Sequence, residues 1–187
     1  NNQSVAEPVL VHNGDFIYEH QDILIPSRAI NTEIMRIYKS QSRYNNRFGY
    51  GWDMFYNKKI VALCNGDLFY LNGKLNRYRF IYIDGTNYIS PAGIYDKIVQ
   101  NPDGTFTLTE KNGTVYKFDQ NGVLSEIRDR NANSLHFTYD PGKLPIIGKS
   151  VFSNDPDPKV IAYDYKLIKI TDTVGREINF NYDANGN

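Results

Sequence analysis

Apolar and polar residues alternate along most of this chain in short runs, and turn-forming dipeptides cut the runs apart. Eight Asn-Gly or Asp-Gly pairs mark the cuts: Asn13-Gly14, Asn65-Gly66, Asn72-Gly73, Asp84-Gly85, Asp103-Gly104, Asn112-Gly113, Asn121-Gly122 and Asn185-Gly186. Gly, and to a lesser degree Asn and Asp, tolerates the positive φ that a tight hairpin turn requires, so such pairs are strong hairpin signals. The runs between them are rich in Tyr, Phe, Ile, Val and Thr, which suit a pleated surface. Across PDGTFTLTEKNGTVYKFDQNG the pairs recur every nine residues, which predicts a meander of short antiparallel strands. SRAINTEIMRIYKSQ (27–41) is free of Gly and Pro, but Ile34, Ile37 and Tyr38 are poor helix formers, and it too reads as a strand. The predicted fold class is all-β, built from hairpins.

The second half repeats itself. LSEIRDRNANSLHFTYD (124–140) aligns without gaps to LIKITDTVGREINFNYD (167–183), an offset of 43 residues. An aromatic-Asp pair closes each unit, at Phe118-Asp119, Tyr139-Asp140, Tyr163-Asp164 and Tyr182-Asp183, with spacings of 21, 24 and 19. Leu135, Phe137 and Tyr139 alternate with His136 and Thr138, which puts the apolar side chains on one face of a strand. Asp140 follows, where a carboxylate can accept turn amides. A two-stranded unit is marginal in water, so each copy needs its neighbours to cover its aromatic face. SNDPDPK (153–159) interrupts the period and reads as an inserted surface loop. Asp155 and Asp157 within it bring too few oxygen ligands for a calcium site.

These units resemble the tyrosine-aspartate (YD) repeats of Rhs-family proteins, relatives of the Tc-toxin C components and of teneurin shells. FDQNGVLSEIRDRNANSLHFTYD follows that unit in order; its usual central Gly is Gly175 in one copy and Ala132 in another, and Val123 stands where an Arg is usual. The first half is similar to the domain that precedes the repeats in Rhs proteins, through Gly14-Asp15, Ile25-Pro26, Arg36-Ile37-Tyr38 and Gly49-Tyr50-Gly51-Trp52 in that order. The resemblance covers roughly residues 10–187. It implies a fragment of a YD-repeat β-shell, with an N-terminal β domain over 1–100 and the repeat array over 101–187. Rhs shells carry an Asp-Pro-x-Gly self-cleavage segment; Asp140-Pro141-Gly142 lacks the intervening residue and lies in a repeat turn, so no cleavage residue carries over.

Composition narrows the function further. Lys plus Arg equals Asp plus Glu at 21 each, which argues against a sequence-blind nucleic-acid binder, since that needs a phosphate-neutralising excess. The one cysteine, Cys64, excludes an internal disulfide framework; a lone cysteine is more commonly buried than catalytic. No apolar run approaches the ~20 residues that span a bilayer. The first residues lack the features of a signal peptide, and both ends read as cuts in a longer protein. His12 and His20 are not spaced as helical metal ligands, His136 points off the apolar face, and no Gly-x-Ser-x-Gly elbow occurs. Pairing Asp15 with Glu19 or Glu33 as glycosidase acids would be arbitrary.

The expectation is therefore a non-catalytic structural segment without a cofactor or metal. The resemblance implies a secreted or surface-displayed bacterial shell whose partners are its own downstream repeats and a C-terminal effector domain. The alternative is a binding module for a glycan or a cell-surface protein. Its ligand platform would be the aromatic cluster Tyr50, Trp52, Phe55 and Tyr56, since aromatic faces suit sugars and cations.

Overall fold

The computed structural model describes residues 9–10, 14–27, 29–140, 144–146 and 162–182, and no helix occurs among them. None of the described residues therefore forms a helix long and apolar enough to cross a membrane. The fold is all-β, as the alternating pattern predicts.

The chain first builds a four-stranded sheet. Its strands are β1 (Val9–Leu10), β2 (Asp15–Ile25) and β3 (Thr32–Lys39), and after a small hairpin of β4 (Asn45–Asn46) and β5 (Gly49–Tyr50), β6 (Trp52–Met54) returns beside β3. The 27–41 stretch thus contains β3.

A second sheet of eleven strands follows, every neighbouring pair antiparallel. Nine strands run in chain order: β7 (Lys58–Ala62), β8 (Leu68–Asn72), β9 (Arg77–Asp84), β10 (Asn87–Ile89), β11 (Lys97–Gln100), β12 (Phe106–Thr109), β13 (Val115–Phe118), β14 (Leu124–Arg128) and β15 (Ser134–Tyr139). A separate hairpin of β16 (Leu144–Ile146) and β17 (Ala162–Asp164) stands outside the sheet, and β18 (Leu167–Thr171) and β19 (Glu177–Asn179) complete it. The inserted loop at 153–159, with Asp155 and Asp157, lies outside the described residues.

Among the described residues one turn is used six times. At Leu63, Asn101, Glu110, Asp119, Asp129 and Asp172 the residue's amide donates to the carbonyl four residues on, and its carbonyl accepts the amide three residues on, all at 2.8–3.1 Å. The residue three on has positive φ each time: Gly66, Gly104, Gly113, Gly122, Ala132 and Gly175. This matches a three-residue hairpin loop, whose last residue must be left-handed to reverse the strand. Asp119, Asp129 and Asp172 strengthen it with a carboxylate that accepts two turn amides, at 2.8–3.0 Å.

The 43-residue repeat is also a repeat of register. β14 pairs with β15 as Glu126–His136, Ile127–Leu135 and Arg128–Ser134; β18 pairs with β19 as Lys169–Asn179, Ile170–Ile178 and Thr171–Glu177, every position displaced by the same 43.

The large sheet curls. Ile60 on β7 donates its amide to the Gly122 carbonyl at 2.8 Å, and Lys59 bridges to Val123. The first strand of the sheet thereby meets the turn after its seventh. Leu68, Phe80, Leu108, Phe118, Leu124, Leu135 and Ile170 fill the space inside and are almost wholly buried; burying each Leu or Phe contributes about 2–3 kcal/mol. Ile34, Met54 and Tyr56 from the first part of the chain pack into the same core. A smaller cluster of Tyr44, Val61, Leu63, Phe69 and Leu71 forms on the other face of β7 and β8. The division at residue 100 expected from the sequence falls between β11 and β12, which are hydrogen-bonded neighbours, so one sheet and one core run across it.

Candidate functional site

The aromatic residues that the sequence groups together are dispersed by two turns. Tyr50 projects from the β4–β5 hairpin and is 59% exposed. Phe55 lies under the Lys74 ammonium at 4.1 Å. Tyr56 is buried against Phe137, ring centres 4.9 Å apart, and its hydroxyl accepts the Glu33 amide at 3.1 Å. Trp52 belongs to a different group. Tyr18, Tyr38 and Trp52 are direct cross-strand neighbours on β2, β3 and β6, with Phe16 beside Tyr38.

That row is tilted rather than flat. Tyr18 meets Trp52 edge-on at 6.2 Å, Tyr38 lies 5.3 Å from it at 42°, and the Arg36 guanidinium sits 5.5 Å from the Trp52 ring centre. Such edge-to-face contacts are how aromatic rings pack on one another. Arg36 is fixed in turn by two bonds of 2.6 Å to Asp22, which hold the Asp22 carboxyl below its ordinary range. A flat sugar-stacking surface is not what these angles make.

The aromatic-Asp signature positions whose side chains are described make packing and turn contacts. Phe118 is 1% exposed in the core, and Asp119 organises the following turn. Tyr139 is half-buried, and the Asp140 amide donates to the Lys166 carbonyl at 2.8 Å. The Tyr182 hydroxyl donates to the Leu167 carbonyl at 2.8 Å, with the Lys166 ammonium 5.0 Å from its ring. Tyr163 and Asp164 end β17. Asp183 lies outside the described residues, as does His12.

The remaining candidates stay apart. Cys64 is exposed in the turn between β7 and β8, which corrects the expectation of a buried thiol: the turn there points the side chain outward, while Leu63 and Asp67 flank it from the buried side. His20 contacts Tyr18 and Asp22 on its own strand, and His136 contacts Ser134 on its own. Among the described residues no group of three or more His, Cys, Asp or Glu could hold a metal ion.

A buried carboxylate and a half-buried ammonium escaped sequence reasoning. A seventh turn begins at Asn72, where Leu75 takes the left-handed conformation at φ 58°. The Asn72 amide donates to Asn76 as in the other turns, but the Asn72 carbonyl accepts the Lys58 ammonium at 2.9 Å and the Leu75 amide turns to the Asp53 carboxylate. The two side chains replace the missing turn bond. Asp53 is 2% exposed and also accepts Asn57 at 2.7 Å and the Met54 amide at 2.9 Å. Burial still pushes its carboxyl up to about 6, and burial lowers the Lys58 ammonium to about 8.

Two cavities flank this turn. One, of about 360 Å³, opens to Lys58, Lys74, Glu110, Tyr116 and Glu33. The other, of about 330 Å³, lies beside the small sheet and is lined by Asp15, Lys39, Arg43, Asp53, Asn76 and Arg77 among others. Both are cradles of opposed charge. Neither is lined by a histidine or a cysteine.

Architecture and contacts thus define an all-antiparallel meander stiffened by reiterated turns. Residues 6–80, from before β1 into β9, match a domain of unknown function, DUF6531. No curated protein matches the chain.

Proposed function

We propose that this chain is a wall-building segment of a YD-repeat β-shell of the Rhs type, non-catalytic in itself, in a secreted or surface-displayed bacterial protein. The observation that carries this reading is the 43-residue repeat of register between β14–β15 and β18–β19. A sheet made from one unit and one turn extends by adding units, and each unit is stable only against its neighbours. Ile34, Met54 and Tyr56 fill the curled start of the sheet, a seed on which later repeats stack. In this reading the partners are further repeats and an effector segment enclosed by them. β19 ends the strand order and leaves a pairing edge for the next unit. Sedimentation over a rising concentration series tests it: weak self-association is expected, and a strictly monomeric chain at millimolar levels contradicts an open edge.

The second reading is a glycan- or protein-binding module. Exposure of Phe16 and Tyr18 beside Trp52 favours it, and the tilt of the rings weighs against sugar stacking. A glycan screen read by Trp52 fluorescence separates the two.

A further inference from the structure

We infer that Lys39 and Asn76 are the reactants of an intramolecular isopeptide bond that ties the four-stranded sheet to the eleven-stranded one. Lys39 ends β3 and Asn76 precedes β9, and the Lys39 ammonium donates to the Asn76 side-chain oxygen at 2.7 Å. The amine and the amide carbon it would attack are therefore already in contact, across 37 residues of chain. Proximity of this kind removes the entropic part of the barrier to an amide exchange that is otherwise slow.

The surroundings supply what the reaction needs. Attack requires a neutral amine. Burial lowers the Lys39 ammonium from its ordinary value, while Asp15 and Glu19 act to raise it and Lys74 to lower it further. Asp15 is buried and fixed, its carboxylate accepting the Ser40 hydroxyl at 3.1 Å and the Gln41 amide at 3.0 Å. It lines the same cavity as Lys39 and Asn76 and serves as the positioned proton acceptor. Asp53 lines that cavity too and anchors the Leu75 amide next to Asn76, which holds the electrophile in place.

The step balances without any further reagent. Lys39 gives a proton to Asp15, and its nitrogen lone pair forms a bond to Cγ of Asn76. The attacking nitrogen then gives up a second proton, both protons pass in turn through Asp15 to Nδ2, the Cγ–Nδ2 bond breaks, and the nitrogen leaves as ammonium. An amide replaces an amide, and nothing is oxidised or reduced. This inference is independent of the wall reading, since a cross-link of these two sheets would brace the fold whatever its role.

Intact-protein mass spectrometry of the full chain after prolonged incubation in mildly alkaline buffer tests it. The expected mass is the sequence mass less one ammonia, with a branched tryptic peptide that joins Lys39 to Asn76. K39R keeps the charge and the hydrogen bond and should return the full sequence mass. N76D should reach the same product as the wild type by losing water. A wild-type chain at its full sequence mass with no branched peptide overturns the inference, as does an ammonia loss that persists in K39R.

Discussion

Ile60 gives its amide to the Gly122 carbonyl at 2.8 Å, and this one bond joins the first strand of the large sheet to the turn after its seventh. It covers an edge that would otherwise present unpaired groups, and it explains why Gly122 is glycine. A Cβ there would fall on the Ile60 carbonyl oxygen, well inside van der Waals contact. Gly175 holds the corresponding place 53 residues on with nothing near it.

Gly122→Ala and Gly175→Ala should therefore differ. Both introduce a side chain at positive φ, 74° and 82°, which costs about 1 kcal/mol. Gly122→Ala must also displace β7 and should cost about 3 kcal/mol or more. Denaturant unfolding of the two variants checks this; equal losses would mean that the β7 contact contributes nothing.

Ala132 occupies the left-handed position of its turn at φ 65° and is exposed. Ala132→Gly should raise stability by about 0.5–1 kcal/mol, the relief of strain exceeding the extra freedom of Gly in the unfolded chain. A lower melting temperature in this variant would contradict the turn geometry.

Asp53 has a folded-state value of about 6 against an ordinary 3.8. A carboxyl raised on folding favours the folded state when protonated, so its contribution is full below the ordinary value and is lost as pH rises through about 6. Acidification from about pH 7 to about pH 4 should add about 2 kcal/mol from this group. Asp53→Asn should flatten that part of the stability–pH curve; an unchanged slope would show that the carboxyl is not the titrating group. Lys58 acts at higher pH: its ammonium is lowered to about 8, so its contribution is full above the ordinary lysine value and declines as pH falls through about 8.

Trp52 lies half-buried among Tyr18, Tyr38 and Arg36. Its emission should be shifted to the blue of a free indole and quenched by acrylamide several-fold less readily. A red-shifted, freely quenched Trp52 would dismantle this packing and move the binding module to first place.

Much of the fold was legible because its turns are local. Asn65-Gly66, Asp103-Gly104, Asn112-Gly113 and Asn121-Gly122 place the glycine at the left-handed position, and the gapless 43-residue self-alignment marked β14–β15 and β18–β19 as copies of one unit. The turns at Asp129 and Asp172 carry no such dipeptide, but their carboxylates perform the same task. What stayed hidden is non-local. The contact of β7 with Gly122 joins segments 62 residues apart, and no periodicity encodes it. The replacement of a turn bond by Asp53 and Lys58 depends on three segments meeting. The four aromatics that are close in sequence are dispersed in space because nearness in sequence says nothing about facing: at the turn over 55–56 Tyr56 enters the core, while Trp52 joins Tyr38.

The edge of β19 offers the most direct test of a sheet built to be extended. Ile178 pairs with Ile170 and the Phe180 amide reaches Ile168, so strand alternation turns the Asn179 amide away from β18. Asn179→Pro removes that outward donor without breaking a bond inside the sheet. Sedimentation velocity on wild type and Asn179→Pro at matched high concentrations should show weak association in the first and monomers in the second, with unchanged melting temperatures. Equal behaviour of the two, whether both associate or both stay monomeric, would contradict β19 as the site of extension.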